Sequence, residues 1–107
     1  MDKTRAASMI GIARKAGKVA AGEFSAEKVL KEGAAALVIL SEDASENTQK
    51  KFRDKASYRH IPVYTFLPKE ELGRCVGLGE RSVLAITDRA LAEAVRGLIE
   101  KKTEGKA

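Results

Sequence analysis

The chain predicts an α/β domain in which a central sheet is covered by helices on both faces. Three observations predict it. Short aliphatic or β-branched runs alternate with stretches of helical spacing along the whole chain. The run Leu37-Val-Ile-Leu40 is continuously apolar, as expected of a strand covered on both sides. Gly17, Gly22, Gly33, Pro68 and Asp88 fall between the runs, where turns and caps are needed.

The elements follow in order. From Asp2 to Ala16, residues Ala6, Met9, Ile10 and Ala13 recur at helical spacing, with Asp2 placed to cap the start and Gly17 to end it. Lys18–Ala21 reads as a short strand. Glu23–Glu32 reads as a helix with Ala26, Val29 and Leu30 turned inward and Gly33 as its stop. After the Leu37–Leu40 strand, Asp43 and Glu46 have the spacing of a capping box, with Asp in place of Ser or Thr. The helix behind them, to about Ala56, is mostly polar and turns Phe52 and Ala56 inward.

Ile61–Phe66 is β-branched and aromatic and reads as a strand, with Pro62 suited to its first position or to an edge. Pro68 opens a short helix through Val76. Ser82–Thr87 is the last strand, and Asp88 caps a closing helix with the stripe Leu91, Ala94, Val95 and Leu98. The whole reads as one domain, residues 1–100, followed by a polar tail at 101–107 expected to fray.

Composition narrows the function classes. The chain of 107 residues is long enough to build a core without staples. With no Trp, two Tyr and three Phe, that core must be aliphatic. The net charge of +5 favours a polyanionic partner without proving one. Residues 1–33 carry +3 of it, around Arg14, Lys15, Lys18, Lys28 and Lys31. Cys75 is the single cysteine, so no intrachain disulfide forms and a reducing compartment is the simplest setting. No apolar run approaches the ~20 residues of a membrane span. With no signal peptide in view, a cytoplasmic location is expected.

No catalytic constellation stands out. His60 is the single histidine and lies between Arg59 and Ile61, where it reads as a surface or strand-edge residue. Cys75, in Leu-Gly-Arg-Cys-Val-Gly, reads as a small apolar residue of a short helix. One His and one Cys cannot complete a four-ligand zinc site. Gly11–Lys18 fails as a phosphate loop: five residues separate its glycines, and Val19 stands where Ser or Thr must reach magnesium. Gly77-Leu-Gly follows a helix, whereas the dinucleotide fingerprint follows a strand. Glu42, Asp43 and Glu46 read as a capped helix start. No enzyme activity, metal or cofactor is expected.

Two segments read as a binding surface. One is the turn Ala20–Phe24 with the first helical turn behind it. Gly22 permits close backbone approach, and the helix start turns amides outward. Ser25 offers a hydroxyl. Lys28 and Lys31, three apart, share a helix face and can meet phosphates, a pattern two solvated lysines also fit. The other segment is the loop Gly77-Leu-Gly-Glu-Arg-Ser82. There Leu78 is expected to be exposed and able to pack on a splayed base, with Arg81 as a cation. An ordinary helix-to-strand connection has the same composition.

Five segments in this order and spacing carry a resemblance. They are Gly22-Glu-Phe-Ser-Ala-Glu-Lys28, Ala-Leu-Val-Ile-Leu-Ser-Glu-Asp43, Ile-Pro-Val63, Leu-Gly-Arg-Cys-Val-Gly77 and Val-Leu-Ala-Ile-Thr-Asp88. From the first helix to about Leu98 the chain resembles the kink-turn-binding ribosomal protein superfamily. The Ser-Glu-Asp-Ala-Ser-Glu-Asn-Thr run and the first-helix Gly-Ile-Ala-Arg-Lys-Ala-Gly look most like its bacterial YlxQ-like branch.

The resemblance implies a three-layer α-β-α sandwich on a four-stranded mixed sheet, with no catalysis and no cofactor. It implies a structured RNA partner, such as a kink-turn or ribosomal RNA, with the ribosome itself as a further candidate; nothing in the sequence suggests more than a monomer. The RNA-binding positions it implies are Gly22, Glu23, Phe24, Ser25 and Lys28, and Leu78, Gly79, Glu80 and Arg81; Lys31 joins them from the helical spacing.

Two departures bear on affinity. Archaeal relatives carry lysines before the glycine, where this chain has Ala20 and Ala21, and Asn-Glu where it has Phe24-Ser25. Phe has no polar group with which to read a guanine edge, and Ser offers only a hydroxyl. Weaker or less selective kink-turn binding is therefore expected. The same departures leave open a protein-interaction module on this fold, with Phe24 as its anchor if exposed.

Overall fold

The computed structural model describes residues 3–104. Five helices and four strands alternate: α1 Lys3–Lys15, β1 Val19–Ala21, α2 Glu23–Lys31, β2 Leu37–Leu40, α3 Glu46–Tyr58, β3 Val63–Thr65, α4 Lys69–Cys75, β4 Val83–Ile86 and α5 Arg89–Glu104. The proposed cap Asp2 lies outside the described residues. Helix α5 continues through the first four residues of the stretch expected to fray, and 105–107 lie outside the described residues. No described helix is long and apolar enough to cross a membrane.

The sheet is mixed, in the order β1-β4-β2-β3. β4 runs antiparallel to both neighbours, pairing Ala20 with Ala85 and Val38 with Ala85, while β2 and β3 are parallel, with Val38 opposite Val63. The central strands β2 and β4 are buried at every residue, and β1 and β3 form the half-covered edges. Alternate residues of the central pair therefore feed two cores.

On one face Leu37, Ile39, Leu84 and Ile86 pack with Ala6 and Ile10 of α1, Leu72 of α4 and Val95 of α5. On the other, Val38, Leu40, Val83 and Ala85 pack with Ala26 and Leu30 of α2 and Phe52 and Ala56 of α3. This is a three-layer sandwich, as the resemblance implies.

Three local expectations change. Ser45, not Asp43, caps α3: its Oγ accepts from the Thr48 amide at 3.1 Å. Asp43 instead caps α4 from across the fold, its Oδ1 accepting from the Lys69 amide at 2.9 Å. That bond holds the Asp43 carboxyl below the usual carboxylate range. Helix α3 runs two residues further, to Tyr58, and buries Thr48 with Phe52 and Ala56. The α5 stripe centres on Ala92, Val95 and Ile99, with Leu91, Ala94 and Leu98 at its flanks, about one position round from the expected stripe, and α1 lies against it. Asp88 caps α5 as expected, its Oδ1 accepting from the Leu91 amide at 2.8 Å.

Gly73 is where the fold meets the second candidate segment, Gly77–Ser82. A Cβ there would lie 1.9 Å from the Gly79 carbonyl oxygen and 2.7 Å from its carbon. Only a missing side chain lets α4 lie directly on the loop that returns to β4. Gly73→Ala must therefore push backbone against backbone. We expect a loss of about 1–3 kcal/mol, the usual cost of overpacking, in a urea unfolding curve. An unchanged midpoint would show that the contact has slack.

Candidate nucleic-acid interface

The two segments singled out in the sequence meet at one end of the sheet. Gly22 ends β1 and caps α2 at φ +98°, a conformation L side chains rarely adopt. Its N–H donates to the Val83 carbonyl at the start of β4 (2.8 Å), which ties the turn to the strand the loop feeds. A Cβ on Gly22 would sit 3.7 Å from Cδ and Nε of Arg81. The turn and the loop thus form one continuous surface.

Helix α2 has no side-chain cap. Its first intrahelical bond runs from the Ala26 amide to the Gly22 carbonyl, which leaves the amides of Glu23, Phe24 and Ser25 as open first-turn donors. Beside them the Phe24 ring is 84% exposed. An exposed Phe forgoes roughly 1.5–3 kcal/mol of burial, so this position contributes little to the fold. Ser25 is half-buried behind it, and Lys28, one turn further on, is exposed and forms no ion pair among the described residues.

The loop Gly77–Ser82 is tighter than expected. Leu78 is half-buried against the α1/α4/α5 core and is not an exposed tip, because its amide donates to the Gly73 carbonyl (3.0 Å) and draws the chain inward. The Arg81 guanidinium donates to the Gly79 and Glu80 carbonyls at 3.2 and 2.8 Å, and the Arg81 amide to the Lys69 carbonyl at 3.0 Å. Glu80 lies 3.9 Å from Lys69 Nζ. Arg81 therefore offers its remaining N–H groups from a fixed position over Gly22, while Gly79 and Glu80 are exposed at the rim.

Behind this edge α2 and α3 lie side by side, joined by a polar ladder. Thr48 Oγ1 donates to Glu23 Oε2 at 3.2 Å, which turns the Glu23 carboxylate toward α3. One turn on, Glu27 receives Lys51 at 2.9 Å and Lys55 and Lys31 each at 3.4 Å. Another turn on, the Arg59 guanidinium donates to the Lys31 carbonyl. Lys31 is thus engaged by Glu27, unlike Lys28. Lys51 and Lys55 were missed in the sequence. The matching four-residue spacings Glu23, Glu27, Lys31 and Lys51, Lys55, Arg59 were the available signal.

Cys75 and His60 lie in separate clefts away from this face. Cys75 lines a cleft with Lys3, Glu71 and Arg74, and His60 lines another with Pro62 and Arg89. Burial pushes the Cys75 thiol up. Among the described residues no group of acidic, His and Cys side chains can hold a metal ion.

Comparison with known proteins gives this face a setting. The family described as "Ribosomal protein L7Ae/L30e/S12e/Gadd45 family" matches residues 4–95. The chain belongs to the L7Ae/L30e/S12e/Gadd45 family. Within that family it falls in the YlxQ-like branch. It is 38% identical over 92 residues to the RNA-binding protein YlxQ of Bacillus subtilis (strain 168), covering 86% of this chain and 92% of the relative. It is 34% identical over 99 residues to the RNA-binding protein YlxQ of Enterococcus faecium, covering 92% and 95%.

A solved structure of a protein with unknown function from Bacillus halodurans C superimposes with a TM-score of 0.86 at 34% identity, over 90% of this chain and 97% of that one. The Giardia lamblia 15.5kD RNA binding protein shares the fold, with a TM-score of 0.77 at 20% identity over 100% and 92%. In this L7Ae-family chain, Gly22–Lys28 and Gly77–Ser82 are the segments that meet.

The ladder makes a pH prediction. The hydrogen bond from Lys51, reinforced by Lys55 and Lys31, lowers the Glu27 carboxyl from 4.5 to about 2. A carboxylate lowered on folding stabilises the native state above its unfolded value, and that gain is lost as pH falls through the folded value. Glu27→Gln should therefore melt below the parent protein at neutral pH, with the gap closing between pH 4.5 and about 2. A gap that stays constant over that range would show that the ladder does not stabilise the fold through charge.

Proposed function

We propose that this protein is a non-enzymatic, cytoplasmic RNA-binding protein. It grips a bent structured RNA, of the kink-turn class, on the edge formed by Gly22–Lys28 and Gly77–Ser82. The observation that carries the reading is the convergence at Gly22: open helix-start amides, an exposed aromatic ring in the same helical turn and a guanidinium held over Gly22. Amides at a helix N-terminus bind phosphate or base oxygens without a charged side chain. Phe24 presents a flat apolar face on which an unstacked base can lie. Lys28, unengaged by any carboxylate among the described residues, supplies charge for a phosphate. The names of the YlxQ relatives support RNA as the partner class.

The exposure of Phe24 also favours a second reading, in which the same ring anchors a protein partner. Titration into a kink-turn RNA, and into the same RNA with its G·A pairs replaced by Watson–Crick pairs, separates the two. Structure-specific binding should appear with the first RNA and fall away with the second. Phe24→Ala should weaken it by about 1–3 kcal/mol, the range for a base stacked on an aromatic side chain. Lys28→Ala should weaken binding and lower the salt slope by about one. Equal, weak binding to both RNAs would pass the lead to the protein-interaction reading, and an unchanged slope would remove Lys28 from the phosphate contacts.

A further inference from the structure

A second surface lies at the far end of the α2–α3 ladder. There the two helices part and leave a cleft of about 350 Å³, lined by Leu30, Lys31, Asp54, Lys55, Tyr58 and Arg59. Its Leu30 wall belongs to the buried core, so the cleft is anchored in the fold. Tyr58 stands at its edge with 83% of its surface exposed, although it ends a helix whose other aromatic, Phe52, is fully buried. Three cations and a single carboxylate line the cleft. The Arg59 guanidinium is held in place by the Lys31 carbonyl, and Lys31 and Lys55 are held by Glu27. The cations therefore line the same cleft as the ring, each already held by a partner.

An exposed aromatic among fixed cations on a concave surface is the usual arrangement for single-stranded nucleic acid: a base stacks on the ring while cations follow the backbone. An acidic peptide would also meet the cations, but it has less use for an exposed ring face. Lys31 lies seven positions beyond Phe24 along α2, a rise of about 10 Å. The cleft is thus within reach of a strand leaving the edge at Gly22.

We propose that this cleft is a second RNA subsite, in which Tyr58 stacks one unpaired base and Lys31, Lys55 and Arg59 face its phosphates. The placement at the strand's exit rests on the proposed RNA function, whereas the stacking itself does not. The subsite extends recognition beyond the bend to single-stranded RNA flanking it.

The test uses the full chain and a kink-turn RNA, blunt or carrying an oligouridine extension of about five nucleotides, at the short end of single-strand site sizes, on either the 5′ or the 3′ strand. One extension should raise affinity by about tenfold, within the range of a single stacked base. Tyr58→Ala should abolish that gain and leave blunt-RNA affinity unchanged, and Tyr58→Phe should keep it. No gain from either extension, or a gain that survives Tyr58→Ala, overturns the proposal. Equal binding of the blunt RNA and its control with replaced G·A pairs, with the Tyr58-dependent gain present on both, supports the cleft while removing the kink-turn reading. The two readings therefore fail separately.

Discussion

The antiparallel pairing of β2 with β4 is the interaction on which everything else in this molecule depends. Eight residues, Leu37–Leu40 and Val83–Ile86, are buried without exception and exchange their hydrogen bonds across one seam. Because side chains alternate across a strand, this seam supplies the floor of both cores at once. Helices α1, α4 and α5 settle on one side and α2 and α3 on the other. The edge strands contribute little burial of their own. Their role is positional: β1 delivers Gly22 to the start of β4, and the hydrogen bond between them fixes the helix start that the candidate interface uses.

The polar chemistry is divided along the same lines. On the α2–α3 side a run of paired charges joins two parallel helices whose outer surfaces are polar apart from Phe24 and Tyr58. One carboxylate, Glu27, shared among three lysines leaves that side with a surplus of positive charge. Exposed ion pairs are individually weak, so the ladder adds modestly to stability while it gathers cations along one side. On the α4 side the contact is steric. Gly73 admits the Gly79 carbonyl at a distance no other residue would allow, and Asp43 caps α4 from the loop after β2. The rigid loop that results carries Arg81 to its position over Gly22.

The architecture was legible in the sequence because its signals are local. The unbroken apolar run at Leu37–Leu40, the caps at Gly33 and Asp88 and the period of α1 each rest on a few adjacent residues. Errors arose where a distant element decides. Asp43 and Glu46 have capping-box spacing, yet Ser45 is better placed to reach the Thr48 amide, and Asp43 is taken by Lys69, 26 positions away. Leu78 has the composition of a loop tip, but its hydrogen bond to Gly73 turns it inward. In the candidate site, Gly22 and Lys28 could be singled out from turn and helix chemistry. The exposure of Phe24 could not, since an apolar residue in a first helical turn is as readily a core contact. Tyr58 and its cleft were invisible for a related reason: they exist only once α2 and α3 run side by side.

The pairing of β1 with β4 has a consequence in time as well as in space. Val19 meets Ile86 and Ala21 meets Leu84, so partners from opposite ends of the sequence must find one another. Such long-range closure comes late, because loop entropy opposes it until the rest of the sheet is in place. During synthesis the first half of the chain leaves the ribosome with Gly22 and Phe24 already made but with no Val83 to hold the turn and no Arg81 to lie beside it. The proposed grip on RNA is therefore a property of the finished chain only, and a nascent fragment has no structured edge with which to compete for the same RNA.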